Sequence, residues 1–214
     1  MPMLYDLRTY TLKPNTAPEY LKRWVEAYPV REAYSKLGGL FTTEIGPLNQ
    51  VIHIWPYKSL THMEEVRGAA AKDTSRRWPP KGDDVLVTMD TELINSAPFM
   101  EEWTGEPRQL GGIYELRVYT YQVGAIPEVL KIWAESVPVR AKYSPFVGVW
   151  TSAGFGGVMN KLYHMWAYKD LNERQRIRAE AGKDPSGKWP PKTSQWMLSQ
   201  ESKILIPHAT SAMR

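Results

Sequence analysis

The chain contains no cysteine. That excludes disulfides, thiolate nucleophiles and cysteine-ligated metals, and it suits a reducing compartment. Long apolar runs are also missing: none approaches the roughly 18 residues that a membrane span needs. Asp6 and Arg8 fall within the first strand candidate, too early for a secretory leader. No Arg/Ser-rich amphipathic leader is seen either, so the cytoplasm is the expected location and no membrane partner is expected. Neither sign of charge dominates. The formal net charge is +4 and 23% of residues are charged, an ordinary mixed surface. The basic residues Arg76, Arg77, Arg174, Arg176 and Arg178 are scattered rather than striped, which argues against a nucleic-acid partner. Hydrophobic residues make up 43% of the 214, enough for a core in one or two domains.

The organising stretch is VIHIWPYKSL at 51–60, which returns as LYHMWAYKDL at 162–171. LYDLRTYT (4–11) likewise returns as IYELRVYT (113–120). Arg117 minus Arg8 gives an offset of 109, which also matches Pro18 with Pro127, Trp24 with Trp133, Pro29 with Pro138, Arg31 with Arg140, Tyr34 with Tyr143 and Gly39 with Gly148. From His53 and His164 onward the offset is 111; it pairs Arg67 with Arg178, Lys72 with Lys183, and the WPPK runs at 78–81 and 189–192. The second copy has therefore gained two residues, most simply within Gly154–Asn160. A unit of roughly a hundred residues is too long for a solenoid repeat and has the size of a small domain. The expected division is a first unit at 1–98, a linker at 99–112 and a second unit at 113–214.

Within the first copy, Met3–Leu12 alternates as a strand, with Tyr5, Leu7 and Thr9 on one face and Asp6, Arg8 and Tyr10 on the other. Asn15 or Thr16 could cap a helix carrying Pro18 in its first turn. Ala17, Tyr20, Leu21, Trp24 and Tyr28 form its apolar stripe. Pro29 is expected to kink or break that helix, the pattern resumes through Tyr34, and Gly38-Gly39 is the stop signal. Leu40–Ile45 and Val51–Tyr57 read as strands around a hairpin at 46–49. Ser59 or Thr61 could cap a second helix with Met63, Val66, Arg67 and Ala70 on one side. Arg76–Gly82 reads as a loop and Val85–Ile94 as a last strand. The second copy predicts strand 113–121, helix 125–143, strands 147–153 and 160–168, helix 171–182 and strand 196–206. The order β-α-β-β-α-β is the ferredoxin-like unit, so the fold class is α+β with two such units in tandem. Phe99, Met100 and Trp103 imply that the join packs onto the rest.

A four-stranded sheet of this kind covers one face with its own helices, and the other would be a large exposed patch unless buried. Two copies in one chain can lay these faces together into an internal barrel with pseudo-twofold symmetry. Ile52 and Ile54 suit contact with the helices, which assigns His53, Trp55 and Tyr57 to the barrel interior. Further dimerisation through other surfaces stays open.

At the motifs Y-[DE]-L-R-x-Y (5–10 and 114–119), H-x-W-x-Y (53–57 and 164–168) and the Trp78 and Trp189 loops, the chain resembles the NIPSNAP family of the dimeric α+β barrel superfamily. The resemblance spans both copies and implies that a single-domain dimer has been fused into one chain. It implies the fold better than an activity, because the superfamily holds cofactor-free monooxygenases, haem enzymes and isomerases.

The best chemical candidates are His53 and His164, since a neutral imidazole can exchange a proton near neutral pH. The alternative is a pair of buried histidines locking neighbouring strands. A His beside Arg8 or Arg117 should be neutral, through burial and like charge. Those arginines could hold a carboxylate or enolate, or simply pair with Asp6 and Glu115. Arg31 and Arg140, following Pro-Val, read as helix-surface residues. Tyr10, Trp55 and Tyr57, with Tyr119, Trp166 and Tyr168, could line a ligand site or merely fill core. The WPPK loops could be lids over a barrel mouth or Trp plugs at the core's end. His62 and His208 lack repeat mates and no cluster has ligand spacing, so no metal is expected. No cofactor is expected either, with haem on a strand histidine as the minor alternative. Gly154-Phe155-Gly156-Gly157 lacks the Lys-Ser/Thr of a phosphate loop. The expected activity is binding of a small apolar or aromatic molecule between the sheets, with cofactor-independent proton transfer or oxygenation as its chemistry. The competing reading is a non-catalytic ligand-binding or interaction module with a side-chain-filled barrel. Tyr163 in place of Ile52, and the longer second hairpin, allow the two copies to be unequal.

Overall fold

A computed structural model describes residues 3–75 and 77–214; Arg76, which the sequence places at the start of the loop before Trp78, lies outside the described residues. The first copy runs β1 (Leu4–Leu12), α1 (Ala17–Glu32), β2 (Gly39–Ile45), β3 (Gln50–Tyr57), α2 (Leu60–Ala71) and β4 (Leu86–Ser96). The second runs β5 (Ile113–Tyr121), α3 (Ile126–Arg140), β6 (Phe146–Phe155), β7 (Lys161–Tyr168), α4 (Leu171–Ala181) and β8 (Met197–Pro207), the last preceded by a short 3-10 turn at Ser194–Trp196. No helix of the described residues is long and apolar enough to cross a membrane.

Local chemistry accounts for the helix limits. Ser59 caps α2 by accepting from the His62 amide at 3.1 Å, and Asp170 caps α4 by accepting from the Glu173 amide at 2.8 Å. Thr16 stands at the N-cap of α1 without making a side-chain cap. Pro29 and Pro138 do not break their helices, which continue to Glu32 and Arg140. Each proline falls near the helix end, where only the last turn follows the lost amide.

Each copy orders its strands as a ferredoxin-like sheet, β4-β1-β3-β2 and β8-β5-β7-β6, with β1 and β5 central. The two sheets then join at their edges. Leu93–Ser96 of β4 pair with β6, and Phe41–Ile45 of β2 pair with β8. The result is one closed antiparallel barrel of eight strands within a single chain. Closure removes the open edges that a half alone would expose along these seams.

Which face turns inward differs from the sequence expectation. The core cluster built from both copies contains Tyr5, Leu7, Phe41, Ile52, Ile54 and Ile94 with Tyr114, Leu116, Trp150, Tyr163, Met165 and Leu205. This is the barrel interior, and it is filled by side chains. His53, Trp55 and Tyr57 do not point there; Trp55 and Tyr57 pack with Tyr20, Leu21, Trp24 and Tyr28 of α1 and with Met63 and Val66 of α2. Trp166 and Tyr168 of the second copy pack against Val129, Trp133 and Ile177 in the same way. The reason is electrostatic. The other face of β1 carries Asp6 and Arg8, and the middle of the barrel, filled by apolar side chains, would strand both charges away from water. The helix layer offers partners and a path to solvent.

The join packs as its aromatics imply. Trp103 is 1% exposed within the interior cluster, stacks on Tyr5 with ring centroids 6.2 Å apart, and its carbonyl accepts from the Tyr5 hydroxyl at 3.1 Å. A repeated close approach shapes the barrel wall: a Cβ on Gly39 would lie 2.4 Å from the Phe41 ring, and one on Gly148 would lie 2.4 Å from the Trp150 ring. Both rings are buried in the interior cluster. Gly148→Ala should therefore lower the unfolding free energy by about 1–3 kcal/mol through overpacking. Urea denaturation reads this, and an unchanged midpoint would show that the Trp150 ring can move aside.

Candidate functional site

Two cavities lie between the sheets and their helices, one per copy. The first, about 220 Å³, is lined by Arg8, Arg31, His53, Trp55, Tyr57, Arg67 and Trp78 among others. The second, about 180 Å³, is lined by the repeat mates Arg117, Arg140, His164, Trp166, Tyr168, Arg178 and Trp189, together with Tyr119. Strand alternation supplies one wall. Arg8 of β1 stands opposite His53 of β3, and Arg117 of β5 opposite His164 of β7, so each Arg–His pair shares the helix-facing side. Tyr10 does not line the first cavity; it packs edge-on against His53 at 4.7 Å and accepts from Arg8 Nη1 at 2.9 Å.

The histidines are fully enclosed, and their hydrogen bonds fix which nitrogen is available. Trp55 Nε1–H donates to His53 Nδ1 at 2.6 Å, and Trp166 Nε1–H donates to His164 Nδ1 at 3.0 Å. The lone pair on Nδ1 is thus committed to an indole, and the neutral ring carries its proton on Nε2. Both Nε2 atoms are buried without a hydrogen-bond partner among the described residues. Burial first, then the charges of Arg8 and Arg31, hold the His53 pKa well below the usual value; burial and Arg117 do the same for His164. The free nitrogen of each imidazole is therefore an N–H donor, and its basic nitrogen is already occupied. The surroundings do not fit a haem: the ligating lone pair is taken, Tyr10 and Trp24 rings stand 4.7 and 6.1 Å from the His53 ring, and a cavity of about 220 Å³ is smaller than a porphyrin.

Arg31 and Arg140 are not surface residues. They are 4% and 2% exposed. Arg31 lies over the Trp55 ring at 4.5 Å and Arg140 over Trp166 at 4.6 Å. Arg31 donates to the Tyr57 and Ser35 hydroxyls at 2.8 and 2.7 Å, and Arg140 to Tyr168 and Ser144 at 2.9 and 2.7 Å. Among the described residues no carboxylate forms an ion pair with either; burial lowers the pKa of both. The signal was present in the sequence: Trp24, Tyr28 and Arg31 follow i, i+4, i+7, so the arginine continues the buried stripe of α1. The WPPK loops are not lids over a barrel mouth. The half-buried Trp78 lies against Trp24 and Trp55 at 5.7 and 5.9 Å, and Trp189 against Trp133 and Trp166 at 5.8 and 5.6 Å, so both loops roof the helix-side cavities.

Charge is handled differently in the two copies. Arg8 pairs with the buried Asp6 at 2.9 Å. In the second copy the buried Glu115 takes Arg117 at 3.2 Å, Arg174 at 2.7 Å and Arg178 at 3.4 Å. Burial alone would raise the Glu115 pKa, but the Arg174 hydrogen bond and the charges of Arg178 and Arg117 bring it down to about 2. Among the described residues no three His, Asp or Glu side chains gather into a metal-sized group.

Comparison with known proteins gives a consistent result. The family model described as NIPSNAP matches twice, at residues 5–101 and 114–212. The NipSnap homolog 1 of Danio rerio is 38% identical over 226 residues, covering 99% of this chain and 77% of that protein. The human NipSnap homolog 2 is 34% identical over 223 residues, covering 99% and 75%. Among solved structures, a putative monooxygenase from Lactobacillus acidophilus superposes with a TM-score of 0.65 over 97% of this chain and 94% of that one, at 13% identity. That level of identity speaks to the fold alone.

The neutral histidines make stability depend on pH. An unfolded histidine titrates near 6.5. With the folded pKa depressed, the unfolded chain binds more protons below that value, so stability is complete above about pH 7 and declines as the pH falls through 6.5. The two groups together should cost roughly 3 kcal/mol between pH 7.5 and 5.5. Urea unfolding at the two pH values measures this, and His53→Gln with His164→Gln should flatten the difference. A pH-independent wild type would mean that the histidines can protonate within the fold.

Proposed function

The chain belongs to the NIPSNAP family, and from that premise we propose that its helix-side cavities are built to bind a small, planar organic anion. The observation that carries this reading is the buried guanidinium of Arg31, repeated at Arg140, with hydroxyl and ring partners and no carboxylate among the described residues. Burying a charge without a counter-ion costs several kcal/mol. An arriving anion offsets that cost, and it does so in a partly dry site where the attraction is stronger than in water.

Size and wall chemistry narrow the ligand. A cavity of roughly 150 Å³ accommodates benzene, so about 220 Å³ suits a single ring with one anionic substituent. Trp55, Trp78 and Tyr57 supply flat apolar surface for the ring. Arg8, Arg31 and Arg67 supply the charge at the polar side. The location is not between the sheets, where side chains fill the barrel, but between sheet and helices.

This also redefines the part played by His53 and His164. With Nδ1 bound to an indole, neither is placed to accept a proton, and the role we assign is hydrogen-bond donation from Nε2. Donors and guanidiniums around a desolvated oxygen stabilise an enolate or phenolate as well as a carboxylate. That charge stabilisation is common to cofactor-independent isomerisation and oxygenation, and it is the chemistry this residue set favours over general-base catalysis.

Calorimetric titration with benzoate and its neutral isostere benzamide tests the reading. Benzoate should bind at least about tenfold more tightly, a difference of ~1.4 kcal/mol. A chain carrying both Arg31→Met and Arg140→Met keeps the stacking volume without the charge and should lose that preference. Equal affinity for the two probes in the wild type would sink the proposal.

A further inference from the structure

The duplication provides an internal comparison between two versions of one site. The fold places Asp6 and Glu115 at the same point, since each faces the Trp of its neighbouring strand, Trp55 or Trp166. The side chains differ by one methylene, and their contacts diverge. The Glu115 carboxylate accepts from Ser202 at 2.9 Å and from the Tyr168 hydroxyl at 3.4 Å, and it pairs with Arg178, which itself lines the cavity. It thus sits where donors from β7, β8 and α4 converge.

In the first copy the shorter Asp6 accepts from Thr91, the mate of Ser202, and pairs with Arg8. It makes no hydrogen bond to Tyr57, the mate of Tyr168. Arg67, the mate of Arg178, lines the cavity and has no ion pair among the described residues. The Tyr57 oxygen accepts from Arg31 at 2.8 Å, which leaves its own proton without an acceptor among the hydrogen bonds of the described residues. Arg174, the strongest partner of Glu115, is replaced by Met63 at the same offset. Two of the donors that meet a carboxylate in the second copy, the mates Tyr57 and Arg67, therefore meet none among the described residues of the first, and the first cavity is the larger, about 220 against 180 Å³.

Resting on the anion-binding reading above, we infer that the two sites are unequal by construction: the first cavity takes the carboxylate of an external ligand between Tyr57 and Arg67, whereas in the second copy Glu115 already engages the mates Tyr168 and Arg178 as a built-in substitute for the ligand. The chain thus carries one site whose donors are free for a ligand and one whose donors are already engaged. The selected ligand class is a monocyclic carboxylate, because the missing group is a carboxylate and the remaining wall is aromatic.

The inference is tested by stoichiometry, with benzoate as the probe in calorimetric titration of the full chain. The wild type should bind one benzoate per chain. Asp6→Glu should engage Tyr57 and Arg67, as Glu115 engages their mates, and weaken binding at least tenfold. Glu115→Asp should open the second and raise the stoichiometry to two. Both changes conserve charge and match the residue already accepted in the other copy. Because Glu115 is buried, Arg67→Ala at an exposed position provides an independent arm, expected to weaken binding tenfold or more with the fold intact. Two equal sites in the wild type, an unchanged affinity in both Asp6→Glu and Arg67→Ala, or a stoichiometry still at one in folded Glu115→Asp would overturn the inequality while leaving anion binding standing. The absence of benzoate binding in all four proteins would instead overturn the anion-binding reading itself.

Discussion

Both faces of each sheet must be buried, and this requirement governs the rest of the molecule. A ferredoxin-like unit has helices for one face only. The second copy supplies the cover for the other, and the β4–β6 and β2–β8 seams close the wall. The interior that results holds large apolar side chains such as Ile52, Ile54, Trp150 and Met165. Asp6, Arg8, Glu115 and Arg117 take the helix side, where Arg8 and Arg117 remain partly exposed, while Glu92 shares the inner face with Leu7 and is answered there by Tyr163 and Lys161. The site is thus placed by exclusion from the barrel as much as by attraction to the helices.

Once placed there, the polar groups are organised by aromatics. An indole fixes each histidine tautomer, and the same indole ring carries a stacked guanidinium. The arrangement is rigid, because moving Trp55 would break a hydrogen bond, a cation–π contact and the packing of Trp24 and Trp78 together. Pre-organised donors of this kind hold negative charge without rearrangement. The family and the fold are established by the match of both copies; the anion binding we propose rests on this layer of residues.

Duplication preserves the frame and frees the details. The central strands keep their register, with Arg8 opposite His53 and Arg117 opposite His164. The carboxylate behind them changes from Asp6 to Glu115, and the helix partner from Met63 to Arg174. These are compensating changes: a longer acid reaches three arginines and a buried charge becomes fully paired. In the first copy, Arg31 and Arg67 have no ion pair among the described residues.

The sequence by itself determined the repeat, the eight strands and four helices, the ferredoxin-like order, and the sharing of one face by Arg8, His53, Trp55 and Tyr57. Spacing suffices for these, because periodicity records which residues lie together on an element. It could not decide which face turns inward. When both sides of a sheet are buried, alternation looks the same from either side, and the aliphatic Ile52 and Ile54 read as helix contacts although they fill the barrel. Arg31 was legible as part of the α1 stripe from its spacing to Trp24 and Tyr28, but its charge argued for the surface. Only the tertiary structure supplies the Trp55 ring and the Tyr57 hydroxyl that let a guanidinium lie 4% exposed. The state of the histidines was likewise decided in three dimensions: the residue types implied a neutral ring, and the Trp55 and Trp166 hydrogen bonds determined that it presents a proton rather than a lone pair.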